Sequence, residues 1–587
     1  MDFWQPEFDI DERPDGTIYM RHKGDAPKHH PTLADYIDKW ADATPYQNWL
    51  ARRDNGGDWK FITYGAARNA AKAIGSSLLD MGLGPDRPLL ILSENSLEHG
   101  QIALACLYVG IPFAPVSPAY SLISKDHAKL KGVAETLRPG AIFADDGAQF
   151  AEAYASIKGD ELPFINVKNA ASEAIDYATL FEGDPITAEA ARSKLGADTV
   201  AKYLFTSGST GSPKAVINTN GMICAMQALV RDCYRFMQKE PPIVLDWAPW
   251  NHTAAGNKVS YMVLTNGGTY YIDDGRPVPG KFEETLRNLR DVACTWYFNV
   301  PVGWDRLADV LEEDKELAKH FFSRLKMMFY AGAGMAQHTS EKLSKVARAT
   351  TGKDVLLATS LGSTETAPFA TAWTELSGPA GNLGVPGRGL TMKLVPNGGK
   401  LELRFKGPSI TPGYYGDPEK TAEAFDEEGF YMMGDALRPV DSNDFTKGFL
   451  FDGRTAENFK LSTGTWVTVG SVRAGLVDTL DGLIKDAVIV GENEAQLGAI
   501  LILSERTQAM SDEERNRVLE GALVGAAKKA TGSSNRIRRA TIMDRDPSFD
   551  AGEITEKGSL NQRALRANLT ELIAKMYADT NDDILKA

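Results

Sequence analysis

Short apolar runs alternate with amphipathic stretches over about the first 390 residues, the pattern of parallel strands joined by helical crossovers. The runs 88–93, 113–116, 141–144, 243–247, 269–272, 296–300, 327–330 and 355–358 read as strands, with a helix over 97–108 between the first two. The longest uncharged stretch, 100–121, approaches the roughly 20 apolar residues that span a bilayer. Pro112, Pro115 and Pro118 break its second half, so it reads as a buried helix, a strand and a turn. Farther along, 392–395 and 400–405 read as strands joined by a Pro-Asn-Gly-Gly turn, an antiparallel subdomain. The pattern shifts again at Asp452-Gly453, after which come strands at 487–490 and 499–503 and a polar helix over 512–529. The predicted fold class is α/β. A large N-terminal domain, 1–451, combines α/β subdomains with the small antiparallel one, and a smaller α+β C-terminal domain covers 452–587.

Composition narrows the function. With 587 residues, 43% of them hydrophobic, the chain has material for more than one core. Its 64 basic and 78 acidic residues leave a net charge of −14, which disfavours nucleic acid and anionic membranes as partners. Any anionic ligand must then be held by local groups. Cys106, Cys224, Cys233 and Cys294 are widely spaced, form no CxxC pair and sit in apolar contexts, which argues against metal binding and disulfides and for a reducing, cytoplasmic setting. The acidic start, MDFWQPEFDIDERPDG, does not read as a signal peptide. The basic patch Arg536, Arg538 and Arg539 reads more simply as a solvated face than as a cofactor contact.

Candidate chemistry lies in a few short runs. FTSGSTGSPK, 205–214, sets the hydroxyls and glycines of Thr206, Ser207, Gly208, Ser209, Thr210 and Gly211 ahead of Lys214. It follows an apolar stub and precedes a helix-like stretch, 219–238, so strand, glycine-rich loop and helix are expected in that order. Small residues let backbone N–H groups approach phosphate oxygens, and a lysine neutralises their charge. The P-loop pattern does not fit, because Pro213 and Ala215 flank Lys214. LGSTET, 361–366, offers Thr364 to a phosphate and Glu365 to Mg²⁺. YMMGD, 431–435, offers the Asp435 carboxylate to the two hydroxyls of a ribose, or is an ordinary turn. FDGR, 451–454, and ENFKLSTGTW, 457–466, complete the series.

In this order the runs resemble the adenylate-forming superfamily of acyl-CoA synthetases, peptide-synthetase adenylation domains and luciferases, over most of the chain. ENSLEH, 94–99, and FAPVSPAY, 113–120, look like that family's structural motifs. Within it, DWAPWNHTAAGN (246–257), NGGTYYIDDGRPVPGKF (266–282), NVPVGW (299–304), ENFKLSTGTWV and DAGEITEKGSLNQRA are similar to bacterial feruloyl-CoA synthetases. The resemblance implies ATP, Mg²⁺ and coenzyme A, an aromatic acid as the small-molecule substrate, and a C-terminal domain that rotates between two half-reactions. It assigns residues 206–211 and Lys214 to the β- and γ-phosphates, Thr364 to the α-phosphate and Glu365 to Mg²⁺. Asp435 and Arg454 would hold the ribose, while Gly332, Ala333 and Gly334 would line the adenine and acyl pocket. His252 would orient the acid's carboxylate, with Trp250 and Asn251, and with Trp247, shaping the aromatic end, although tryptophans are more often simply core. Lys460 and the loop with Ser462, Gly464 and Trp466 match the thioester-forming segment, and Ala456 stands near the hinge, where many relatives keep Asp or Lys. A second departure is Gly552-Glu553, where the family usually has Gly-Lys; Lys557 is the candidate adenylation lysine instead.

The expected activity is ATP-dependent ligation of a hydroxycinnamic acid such as ferulate to CoA, through an acyl-adenylate and with release of AMP and pyrophosphate. A medium-chain or other aryl acid ligase, a non-catalytic adenylate or acyl-CoA binder, and a phosphate-releasing kinase or ATPase are the alternatives. Whether the chain pairs as a homodimer is left open.

Overall fold

The structure is a computed structural model that describes residues 2–159, 162–171, 173–206, 213–376, 378–480, 482–555, 560–578 and 584–586, apart from the side chain of Ala456. The chain forms two compact units. One comprises Met1–Lys393, Arg404–Met433 and Pro439–Leu450, the other Leu394–Leu403, Gly434–Arg438 and Phe451–Ala587.

In the first unit, a seven-stranded sheet runs in the order Lys214–Thr219, Val200–Thr206, Phe113–Pro115, Leu89–Ile91, Ala141–Asp146, Phe164–Lys168 and Ile175–Asp176. Every neighbouring pair is parallel except the first. Parallel strands covered by crossover helices are buried on both faces, hence the unbroken apolar runs; Leu89 to Ile91 and Ala141 to Ala144 are all fully buried. A four-stranded sheet holds Ile243–Asp246, Thr269–Ile272, Asn48–Arg53 and Trp59–Thr63, and a parallel three-stranded one holds Trp296–Asn299, Met327–Tyr330 and Leu356–Ala358. All eight strands predicted before residue 390 stand within two residues of their expected bounds. The uncharged stretch becomes the buried helix Leu97–Val109, capped by Ser96 and ended by Gly110 at φ 80°, then the strand Phe113–Pro115 and a short helix, Ala119–Leu122. Among the described residues no helix is long and apolar enough to cross a membrane.

One expectation is overturned. The glycine-rich loop does not lead into a helix; it joins the antiparallel strands Val200–Thr206 and Lys214–Thr219, with Thr206 opposite Lys214. The helix Asn220–Cys233 starts only after the second strand, capped by Thr219. Ala215, Val216 and Ile217 are a short apolar run with two β-branched members that fits a sheet edge.

The second unit carries the sheet Ile484–Val490, Leu497–Leu503, Ile537–Ile542 and Leu585–Lys586. The helix Asp512–Lys529 matches its predicted bounds; Ser511 caps it, three acids fill its first turn and two lysines its last, the arrangement its dipole favours. Leu519 and Leu523, both fully buried, place its apolar side in the core that also holds Ile489, Ala499 and Leu501.

Candidate active site

Lys214 opens the second strand of the hairpin, and its amine lies 4.9 Å from the ring centroid of Tyr414. The hydroxyl of Tyr414 donates to Glu365 Oε1 at 3.0 Å. Tyr414 has no role in the sequence reading, yet it ties the end of the glycine-rich loop to the carboxylate expected to meet Mg²⁺. Backbone bonds fix this bridge: Ile217 N–H donates to Gly413 O (3.1 Å), Tyr415 N–H to Ala215 O (2.9 Å) and Thr411 N–H to Glu365 O (2.8 Å). Thr411 Oγ1 donates to Ile217 O at 2.7 Å. Residues 207–211, assigned to phosphate, lie outside the described residues.

Thr364 and Glu365 belong to the tight turn Thr364–Thr366, which Ser363 and Thr366 cap reciprocally. Gly362 is required here, because a Cβ would fall 1.6 Å from Pro368 O. Glu365 is buried, Thr364 half-buried. Burial, with the charge of Glu365, pushes the Tyr414 phenol well above its usual range and keeps it a donor. Among the described residues no group of three or more His, Cys, Asp or Glu could hold a metal. One buried carboxylate with a hydroxyl on one oxygen still fits Mg²⁺, which is commonly held by one or two carboxylates and the phosphates of its nucleotide.

His252 precedes an unusual helix. Residues Ala254–Val259 wind as a π-helix before continuing as the α-helix Ser260–Thr265. Such a turn takes carbonyls off the α-helical ladder, and neighbouring side chains receive them here. Lys202 Nζ donates to Gly256 O at 2.7 Å, and Gln227 Nε2 to the carbonyls of Asn257 (2.8 Å) and Lys258 (3.0 Å). Asn257 Nδ2 donates to Asn218 Oδ1 at 2.8 Å. Gly256 leaves room for the carbonyl of Trp250, which a Cβ would meet at 2.0 Å. The half-buried His252 accepts the Ala254 N–H on Nδ1 at 3.3 Å, which leaves the proton of a neutral ring on Nε2.

Trp250 is a core residue with its polar edge used. Its Nε1 donates to the Tyr270 hydroxyl at 3.1 Å, which donates to Asp246 Oδ2 at 3.1 Å. Its ring packs edge-on to His99, and it walls a small apolar cavity that also touches Leu104, Tyr261 and Tyr270. Trp247 donates from Nε1 to Asn299 Oδ1 at 3.2 Å. Asn251 is half-buried. Burial pushes the Asp246 carboxyl up to about 7 and the His99 imidazole down to about 4. Gly332, Ala333 and Gly334 form an exposed turn between the strand Met327–Tyr330 and the helix Gln337–Thr351. Gly332 has φ 94°, and a Cβ at Gly334 would meet nothing within 4 Å.

In the second unit, Asp435 is buried and pairs with the exposed Arg454, whose Nε lies 3.5 Å from Asp435 Oδ1. Thr455 Oγ1 donates to Gly434 O at 3.0 Å. Ala456 follows in the short turn Thr455–Glu457. Lys460 and Trp466 are register partners in a small hairpin, with the amine 4.9 Å from the indole. At the tip of that hairpin Gly464, at φ 81°, returns its N–H to Leu461 O, and Ser462 N–H donates to Glu494 O. Glu553, in the Gly-Glu departure, is fully buried: Arg545 donates to both carboxylate oxygens at 2.5 Å, and Ser548 N–H and Asn568 Nδ2 also donate. These partners hold its carboxyl at about 2. Lys557 lies outside the described residues, between the paired Ile554 and Leu560.

The family model described as AMP-binding enzyme matches residues 37–415, and the AMP-binding enzyme C-terminal domain matches 461–581. A carboxylic acid reductase of Mycobacterium marinum is 28% identical over 415 residues, 65% of this chain and 33% of the relative. The medium-chain fatty-acid–CoA ligase of Escherichia coli is 27% identical over 430 residues, 69% of this chain and 70% of the relative. 4-Coumarate–CoA ligase 3 of Arabidopsis thaliana is 23% identical over 492 residues, 81% and 82% of the two chains. The chain spans about a third, or less, of the length of the first of its curated relatives. ATP-bound MatB from Rhodopseudomonas palustris shares the fold at a TM-score of 0.68 and 19% identity, over 92% of this chain and 99% of that one.

Proposed function

The chain belongs to the AMP-binding enzyme family, and on that premise we propose that it joins a hydroxycinnamic acid such as ferulate to coenzyme A at the expense of ATP. In the first half-reaction a carboxylate oxygen of the acid bonds to the α-phosphorus of ATP as the bond to pyrophosphate breaks, giving an acyl-adenylate. In the second, the CoA thiolate bonds to the acyl carbon and AMP leaves with the electron pair. The 1–451 region would hold ATP and the acid, and 452–587 would supply Lys557 and the thioester loop.

The observation that carries this reading is the chain Lys214–Tyr414–Glu365 at the mouth of the glycine-rich hairpin. It sets a cation over the ring of one phenol and a buried carboxylate on its hydroxyl, the pairing that a magnesium–triphosphate needs. Mg²⁺ held by Glu365 would neutralise charge on the phosphates as it builds up. Lys214 and residues 206–211 would grip the β- and γ-phosphates, and Thr364 the α-phosphate. His252 would hold the carboxylate through Nε2–H, as its Nδ1 is engaged by Ala254. Asp435, pinned by Arg454, would accept the ribose hydroxyls. Lys460, Ser462, Gly464 and Trp466 would border the thiol's path. The Escherichia coli relative supports a second reading, a medium-chain fatty acid as substrate.

The test is a panel of acids with Mg-ATP and CoA, following pyrophosphate and AMP. Hydroxycinnamates are expected to be turned over best; octanoate exceeding all of them by a wide margin would replace the aromatic reading with the second. ADP and phosphate as products would reject both.

A further inference from the structure

Six residues beyond His252, the π-helix carries a lysine into the protein interior. Lys258 is 3% exposed, and its Nζ sits in a box of four rings. The ring centroids lie at 3.2 Å for Phe329, 4.5 Å for Phe369, 5.7 Å for Trp296 and 5.8 Å for Tyr234. Nζ has no hydrogen-bond partner among the described residues, and neither do two other polar atoms of the same box, Tyr234 Oη and Trp296 Nε1. Buried polar groups are nearly always paired, because an unpaired one forfeits its hydration for nothing. Three residues of one ring cluster thus each carry a buried donor that lacks an acceptor. A methionine would fill the Lys258 space without that loss, so packing alone does not call for a lysine.

The walls of the box locate it. Phe329 is on the strand that ends at Tyr330, just before the Gly332 to Gly334 turn, and Phe369 follows the Thr364–Thr366 turn by three residues. Lys258 shares its helix with the segment that starts at His252. Two of the four walls, Phe329 and Phe369, and the lysine itself thus continue from segments assigned above to the acid or the nucleotide. Burial drives the amine's pKa well below its ordinary value, so it enters the box as a group able to donate to an oxygen without a counter-ion.

We propose that Lys258, with Tyr234 Oη and Trp296 Nε1, receives an oxygen at the far end of the acid, and that the enzyme selects acids with a distal hydroxyl over those ending in bare hydrocarbon. This rests on the acid-activating reading above and adds the substrate feature that is read. A site built to bond a substrate hydroxyl rejects the analogue lacking it strongly, because its own polar groups are then left unpaired.

The experiment compares 4-hydroxycinnamate with cinnamate, and 8-hydroxyoctanoate with octanoate. It reads kcat/KM from pyrophosphate release and dissociation constants from quenching of tryptophan fluorescence, which needs no turnover. The intact enzyme is expected to favour the hydroxylated member of the pair it accepts by about a hundredfold or more. Lys258→Met is expected to bring that ratio within about fivefold, mainly by gaining on the bare acid; Trp296→Phe and Tyr234→Phe, which keep the rings, should each lower it about tenfold. Turnover of the octanoate pair alone, with the distal preference and its loss in Lys258→Met, sinks the hydroxycinnamate reading and keeps this one. Equal use of both members by the intact enzyme overturns the inference, as does a ratio unchanged in Lys258→Met and, should that variant not fold, in the two ring-preserving variants.

Discussion

Asp246 ends its strand 1% exposed, in the chain that runs through Tyr270 to Trp250 and so to the His252 segment. Burial raises its carboxyl from the ordinary 3.8 to about 7, with the nearby Asp273 charge adding to the rise and bonds from Ala248 N–H and the Tyr270 hydroxyl opposing it. At about 1.4 kcal/mol per pH unit, that rise is worth about 4 kcal/mol. The sign follows from the protons bound. The unfolded chain loses its proton near 3.8 and the folded one near 7, so between these values the folded state holds more protons and stability falls as pH rises. Asp246→Asn removes the titration while keeping an acceptor for Ala248 N–H and turning an amide donor toward the Tyr270 oxygen. Urea unfolding of both proteins, followed by tryptophan fluorescence between pH 4.5 and 8, reads the difference. The variant should gain about 3 kcal/mol on the native protein across that window, and be level with it or slightly weaker at the acid end. A difference independent of pH would refute the reasoning, since it would mean that Asp246 does not titrate there in the folded protein.

Tyr414→Phe removes the hydroxyl on Glu365, a bond to a charged group worth about 1.5–3 kcal/mol. Adenylation, read as pyrophosphate release over a Mg²⁺ series, should fall about tenfold in kcat/KM, and a change below twofold would detach Tyr414 from the phosphate site. Glu553→Gln should cost the second unit about 3 kcal/mol at neutral pH, because a carboxyl held at about 2 stabilises fully above 4.5 and loses that contribution as pH falls toward 2. Calorimetry should show the gap to the native protein narrowing by pH 3.5; an equal gap at both pH values contradicts the ion-pair account. Glu553→Lys, which restores the Gly-Lys order, should loosen this corner and raise no activity, since it buries a second cation beside Arg545. Gly256→Ala should cost about 3 kcal/mol through its clash with the Trp250 carbonyl, with a lowered melting temperature as the readout.

The strands and the long C-terminal helix were legible because their signals are local. Ala141 to Ala144 is a buried run between breakers, and Asp512–Lys529 has its cap, its acidic start and its basic end within one window. The strand Lys214–Thr219 was missed because its apolar run, Ala215, Val216 and Ile217, is only three residues long and lies between the glycine-rich loop and the helix expected from 219, too short to show a period of its own. Tyr414 could not be read at all. Its partners Glu365 and Lys214 stand 49 and about 200 positions away, and a Pro-Gly-Tyr-Tyr stretch looks like any turn. The same holds for Gln227 and Lys202, whose role is to take carbonyls that a π-turn releases 30 and 54 residues downstream. Glu553 was recognised as a departure, but only the structure supplies Arg545 and Asn568 as the reason that a carboxylate is buried there.

Because the glycine-rich loop closes a hairpin, its exit strand is shared property. On one side Lys214–Thr219 pairs with Val200–Thr206; on the other, Ala215 and Ile217 bond to the segment that presents Tyr414. Alternation along a strand makes this an all-or-nothing setting: slipping the exit strand by one residue would point Lys214 to the opposite face and leave Tyr414 and Glu365 without their cation. Insertions or deletions are therefore affordable within the loop, between Thr206 and Lys214, and ruinous just beyond it. A library that varies loop length while holding 214–219 fixed should recover folded proteins with altered grip on phosphate, whereas a one-residue change inside the strand should disconnect the site as a whole.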